Sequence, residues 1–175
     1  MTSYSERYAA MEYLGPASGY LAEIMEIIDR VLLFEDFSVH EIEALCGYMR
    51  CYGAPRGVTL LKEEDQGDYL LIVFTGSVVV SRDADPGAGA KILATVGPGA
   101  SLGEMSMIDG QPRFASCFTA RPTDFAVLSR HDLDQILVER PRLGNKFLLI
   151  LLQLMTRRLR EAQVRLLPHI VSAAL

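Results

Sequence analysis

The sequence predicts a mainly β protein with flanking helices, its strands closed into an antiparallel β-roll or jelly-roll barrel. Three observations carry that expectation. The chain has 175 residues, 50% hydrophobic and 22% charged, the size and composition of one globular domain. Between Cys51 and Arg130, Gly and Pro punctuate short segments rich in β-branched and apolar residues, the pattern of strands joined by turns. Helical periodicity lies before and after this stretch and not within it, which argues against a βαβ parallel sheet.

Taken in order, residues 1–30 read as a helical leader, its first part ending at Gly15-Pro16. Ile24, Ile27, Ile28, Val31 and Leu32 recur at spacings of three and four, opposite Glu23, Glu26 and Arg30, as on an amphipathic helix. Ser38-Val-His-Glu41 is a capping-box signal for a second helix, whose face continues through Ile42, Leu45 and Met49. The strand candidates follow: Val58–Leu61, Tyr69–Phe74, Ser77–Ser81, Lys91–Val96, Ser116–Ala120 and Phe125–Ser129, with 83–89 as a hairpin loop. A roll of about eight such strands removes exposed sheet edges. His131–Arg140 is a short helix stopped by Pro141, and Leu143–Leu166 runs on without proline. One stripe of that last helix is Leu148, Leu152, Met155, Leu159, Ala162 and Leu166; a second is Leu143, Phe147, Ile150 and Leu154. A helix apolar on two faces must bury both, which predicts one face on the barrel and one on a dimer partner. The expected organisation is a leader (1–30), a β-roll (31–140), and a C-terminal lid or dimerisation helix with its tail (141–175).

Composition excludes several classes. The longest apolar run, Phe147–Met155, broken only by Gln153, lies between Lys146 and Arg157, which is about 15 Å of helix against a bilayer core of about 30 Å. No membrane association is expected, and the start of the chain lacks the basic-then-apolar order of a secretory signal. Three cysteines, Cys46, Cys51 and Cys117, without repeated spacing suit a reduced, cytoplasmic protein. His40, His131 and His169 lie far apart and no Cys/His pair has ligand spacing, so no metal is expected. The formal net charge of −5 conceals an asymmetry: residues 1–136 hold ten Lys+Arg against twenty Asp+Glu, and residues 137–175 hold seven against two.

The informative segment runs from Gly99 to Ser116. Gly103 lets backbone approach a ligand closely, and Glu104 follows with a carboxylate suited to ribose hydroxyls. Met105–Ile108 is helix-compatible, Gly110 turns the chain, Arg113 brings a fork of donors suited to phosphate, and Ser116 brings a hydroxyl. Gly99-Ala-Ser101-Leu-Gly103 also satisfies the G-x-S-x-G pattern of a hydrolase nucleophile elbow, but the α/β alternation that chemistry needs is missing. No catalytic residue and no enzymatic activity are assigned.

Gly103-Glu104-Met105 through Pro112-Arg113-Phe114-Ala115-Ser116 resembles the phosphate-binding cassette of the cyclic nucleotide-binding domain family, whose usual form is Gly-Glu-Leu-Ala-Leu, a turn, then Pro-Arg-x-Ala-Thr/Ser. Gly67–Val80 resembles the family's strand pair around a glycine, and the similarity to catabolite activator and protein kinase A regulatory domains covers roughly residues 30–166. The resemblance implies that Arg113 pairs with the cyclic phosphate and Glu104 accepts from the ribose 2′-hydroxyl. Gly103, Ser106 and Ala115 would give backbone N–H groups, Ser116 its hydroxyl, and Met105 and Phe114 complete the ligand-binding set. The last helix would close over the base, with Ala162 and Gln163 where bacterial regulators of the family carry a Thr-Ser pair. Met105-Ser-Met107 and Ser116 depart from the commonest residues but keep the apolar anchors and the hydroxyl.

The resulting expectation is a cytoplasmic sensor or regulatory module without cofactor, binding a cyclic nucleotide, cAMP first, and signalling through its C-terminal helix as a homodimer. Two alternatives stay open: another ligand (cGMP or a cyclic dinucleotide), or a ligand-free dimerisation or interaction subunit. Arg157, Arg158, Arg160 and Arg165 cluster on the last helix. With only nine residues beyond Leu166, no helix-turn-helix and no direct DNA binding are expected, and the basic segment suits an acidic protein partner better.

Overall fold

The computed structural model describes residues 11–83 and 89–173, with side chains described as far as Val164. Among the described residues, nine strands form two antiparallel sheets. The first has the order β1 (Glu12–Pro16), β2 (Arg50–Ala54), β9 (Thr123–Ser129), β4 (Tyr69–Val73) and β7 (Ser101–Leu102). The second has the order β3 (Thr59–Leu61), β8 (Ser116–Thr119), β5 (Val78–Asp83) and β6 (Ala90–Val96). The β-roll expectation stands. β4 shows how the layers arise, because all five of its residues are buried. Alternation sends Tyr69, Leu71 and Val73 into the roll beside Leu60, Val78, Phe125 and Val127. It sends Leu70 and Ile72 the other way, with Ala126 and Leu128, under the helices.

Those helices are α1 (Leu21–Glu26), α2 (Val39–Cys46), α3 (Glu104–Asp109), α4 (Arg130–Glu139) and α5 (Pro141–Ala173). The Ser38 capping box starts α2 as expected: Ser38 accepts from the Glu41 N–H and Glu41 accepts from the Ser38 N–H. A second box, Ser129 with Asp132, starts α4. The helical leader needs correction. Glu12–Pro16 is a strand paired with β2, and the periodic stretch after it is α1 followed by 3₁₀ turns at Ile28–Arg30 and Leu32–Phe34. Ile27, Ile28 and Val31 are β-branched and stiff, so they hold a long helix poorly. Residues 1–10 of that leader and 84–88 of the hairpin loop lie outside the described residues.

On α5, the stripe Leu143, Phe147, Ile150 and Leu154 is buried against the body, joined by Leu151. On the other stripe, Leu148 and Met155 are half-buried, Leu152 and Leu159 are 63% and 60% exposed, and Ala162 is exposed. Leu166 of that stripe lies outside the described side chains. Among the described residues no helix is long and apolar enough to cross a membrane.

Candidate functional site

The segment from Ser101 to Ser116 folds as strand, short helix, turn and strand. Gly103 enters α3 at φ 85° and Gly110 leaves it at φ 70°, left-handed positions that favour glycine. Met107 anchors α3 in the helical core, whereas Met105 is 54% exposed. Arg130, at the start of α4, donates to the carbonyls of Met107 and Ile108 at 2.7 and 2.9 Å, supplying a cation where a helix end is short of donors.

Arg113 is held at both ends. Its N–H donates to the Asp65 carbonyl and its own carbonyl accepts from the Glu64 N–H, each at 2.9 Å. The residue is only 3% exposed. Nη1 donates to the Gly103 carbonyl and Nη2 to the Tyr69 carbonyl, both at 2.8 Å, and the group lies 4.4 Å from the Tyr69 ring centroid. The fork is therefore pre-set beside the cassette by backbone acceptors and an aromatic face.

Glu104 is 2% exposed. Its carboxylate accepts from the Ser101 hydroxyl and pairs with Arg158 of α5, Nη1 to Oε1 at 3.1 Å. Arg158 also donates to the Ser101 carbonyl at 3.0 Å and to its hydroxyl oxygen at 3.2 Å. A buried carboxylate needs such partners. Ser101 is thus committed to Glu104 on an antiparallel strand, a setting unlike the parallel-sheet elbow its sequence pattern resembles. Cys117 lies beneath both charges. Burial pushes its thiol up to about 12, while Arg113 acts to lower it and Glu104 to raise it.

Ser116 opens β8 and its hydroxyl oxygen accepts from the Glu63 N–H at 2.9 Å, leaving its proton free to donate. Phe114 is 52% exposed with the Arg82 guanidinium 4.3 Å over its ring. Ser106 is buried and Ala115 half-buried. The chain thus brings Arg113 against Gly103, the residue before Glu104. Among the described residues, no group of three or more His, Cys, Asp or Glu is placed to hold a metal, and the His169 side chain lies outside those described.

Residues 54–140 match the cyclic nucleotide-binding domain family. A solved cyclic nucleotide-binding domain from Methylobacillus flagellatus is 51% identical, with a TM-score of 0.84 over 97% of this chain and 96% of that one. The chain belongs to the cyclic nucleotide-binding domain family. Among curated relatives, a CRP-like cAMP-activated global transcriptional regulator of Mycobacterium tuberculosis is 31% identical over 78% of this chain. The chain spans 58% of that regulator's length. The Thermus thermophilus catabolite activator protein superposes with a TM-score of 0.70 at 30% identity, over 77% of this chain and 61% of that one.

In this cyclic nucleotide-binding domain, Ala162 and Gln163 sit exposed on α5, one turn beyond Arg158. The sequence places Arg158 in a basic cluster suited to an acidic protein partner and does not mark it as part of the site. The available signal was Glu104 itself, a carboxylate among apolar residues with no local cation. Tyr69 and Gly67 were also missed: Gly67 leaves open the space that the Arg113 guanidinium fills.

Proposed function

We propose that this domain binds a cyclic mononucleotide, cAMP first, as a sensor whose output is the position of α5. The supporting observation is Arg113, buried and aimed beside Gly103 and Glu104 by two backbone acceptors. In this reading Arg113 exchanges a carbonyl contact for the cyclic phosphate, Glu104 accepts from the ribose 2′-hydroxyl, and Ser116 donates its hydroxyl. Gly103, Ser106 and Ala115 offer backbone N–H groups, while Met105 and Phe114 border the ligand. Arg158 couples ligand to output, because it links α5 to the carboxylate that takes the sugar. Any preference of the ligand for one position of Arg158 shifts the helix population by that difference and no more. The base is read from α5 near Ala162 and Gln163.

The test is calorimetric titration with cAMP and cGMP of the wild type and Arg113→Ala. A charge-assisted contact contributes about 1.5–3 kcal/mol, so the substitution weakens binding at least about tenfold. Failure of both nucleotides to bind the wild type overturns the reading in favour of a ligand-free interaction subunit, and preference for cGMP changes the ligand.

The half-covered stripe of α5 favours a homodimer seam through Leu152 and Leu159, and the buried free thiols suit a reduced cytoplasmic setting. Size measurement of Leu152→Gln/Leu159→Gln against wild type tests the seam. A monomeric wild type, with or without nucleotide, refutes it.

A further inference from the structure

We propose that the groove between the N-terminal 3₁₀ turns and the start of α2 docks a basic amphipathic helix of a partner protein. The groove lies on the helical side of the molecule and encloses about 400 Å³. Its floor is the buried trio Val31, Phe34 and Ile42. Its walls include Leu32 and Val39, which are 37% and 54% exposed. Apolar side chains left open beside a formed floor suit the anchors that a helix presents at i, i+3 or i+4 and i+7.

Charge decides what kind of helix. Asp29, Glu35 and Asp36 stand at the groove, and no Lys, Arg or His is among its described lining residues. An arginine is already seated on one of these acids: Arg157 of α5 reaches Glu35 at 2.9 Å from outside the groove. A helix with cations flanking apolar anchors repeats that contact on Asp29 and Asp36. An anionic lipid surface or a nucleic acid would be repelled by Asp29 and Asp36. The docking does not require a bound nucleotide.

The probe is a fluorescent leucine–lysine peptide of about 18 residues with leucines at helical anchor spacing, titrated against the whole chain at physiological salt. Its glutamate-for-lysine counterpart is the control. We expect Leu32→Asn/Val39→Ser, which changes no charge, and Asp29→Asn/Asp36→Asn each to weaken the lysine peptide about tenfold. Glu64→Gln/Asp83→Asn removes the same charge from the turn after β3 and the end of β5 and changes affinity less than about twofold. Arg157→Ala frees Glu35 and tightens binding, whereas Arg121→Ala, with the same change in net charge, does not. Thermal melts confirm that each variant is folded. The proposal is overturned if the peptide does not bind, or if the Glu64/Asp83 pair weakens it as much as the Asp29/Asp36 pair. Indifference to the Leu32/Val39 pair, or equal binding of the glutamate peptide, overturns it as well.

Discussion

Gly67→Ala tests the site through a residue that makes no polar side-chain contact of its own. A Cβ at Gly67 would lie 2.4 Å from Nη2, 2.5 Å from Nε and 2.6 Å from Cζ of Arg113, where ordinary contact begins at 3.4 Å. The guanidinium must therefore withdraw by about 1 Å. The main chain is no obstacle, since Gly67 is not among the positive-φ glycines. Because an arginine head is flexible, the clash itself is relieved cheaply. The loss lies in the 2.8 Å bonds to Gly103 and Tyr69, at least one of which is drawn beyond hydrogen-bonding length. A hydrogen bond from a charged donor contributes about 1.5–3 kcal/mol, and alanine returns about 0.4–1 kcal/mol by restricting the unfolded chain. The net loss is about 1–2 kcal/mol, a fall in melting temperature of about 2–8 °C for a chain of this length. If Arg113 meets the cyclic phosphate as proposed, cyclic nucleotide affinity falls at least about tenfold, because the fork is displaced. Calorimetry and thermal melts on Gly67→Ala, Arg113→Ala and the double variant read both effects. Gly19→Ala is the control, with nothing within 4 Å of its added carbon. If Gly67 acts through Arg113, the double variant is no worse than Arg113→Ala. A Gly67→Ala protein that melts within a degree or so of wild type and binds cAMP within about twofold refutes the reasoning.

Three further outcomes follow from named contacts. Arg158→Met leaves buried Glu104 without its cation and destabilises the fold by about 1–2 kcal/mol, below the range for a fully buried pair because Arg158 is 43% exposed; adding Glu104→Gln recovers part of that loss in denaturant melts. The Lys146 hydrogen bond, followed by the Ser38 N–H, lowers the Glu41 carboxyl from its ordinary 4.5 to about 2. A depressed carboxylate stabilises the fold above its ordinary value and loses that contribution as pH falls toward about 2, so the melting advantage of wild type over Glu41→Gln shrinks across that window. It is small throughout, because both partners are about a third exposed. Burial pushes the thiols of Cys46, Cys51 and Cys117 up to about 12, so a thiol reagent at mildly alkaline pH labels none in the folded protein and all three after denaturation.

What the sequence made legible was local or periodic. The strand segments announce themselves by β-branched runs between turns, and the capping box at Ser38 is complete within four residues. The cassette is also contiguous, so its turn glycines, its buried glutamate and its arginine could be read in order. β1 was missed because Gly15-Pro16 reads as a break. It is tolerated because β1 is a sheet edge, paired only with β2, where a missing N–H at the last residue costs little. The leader's three-and-four spacing was real, but tertiary contacts realise it as one short helix and two 3₁₀ turns that bury Ile24, Val31, Leu33 and Phe34. Arg158 was signalled only from afar, by the carboxylate of Glu104. Its carboxylate lies 54 residues earlier in the chain, and only the passage of α5 across the roll brings them together. Gly67 is likewise visible only when Arg113 is seen in the space beside it.

The charge asymmetry acquires a physical meaning from these contacts. Three cations of the basic C-terminal segment are spent on three acids of the acidic body: Lys146 on Glu41, Arg157 on Glu35 and Arg158 on Glu104. The first two pairs are solvent-exposed, where an ion pair contributes at most about 1 kcal/mol. They orient α5 more than they stabilise it. The third ends on a carboxylate that is 3% exposed, where losing the partner is expensive. Arg157 and Arg158 are consecutive and therefore point about 100° apart around the helix. One holds the groove acid and the other the cassette acid, so a rotation of α5 that releases one is expected to shift the other. A ligand that alters the Arg158–Glu104 contact is thereby felt at Glu35. By linkage, a partner that takes Glu35 from Arg157 alters nucleotide affinity by the same factor. Titrating cAMP in the presence and absence of saturating leucine–lysine peptide measures that factor. A value of one would mean that the two arginines act independently and that α5 carries no signal between the groove and the cassette.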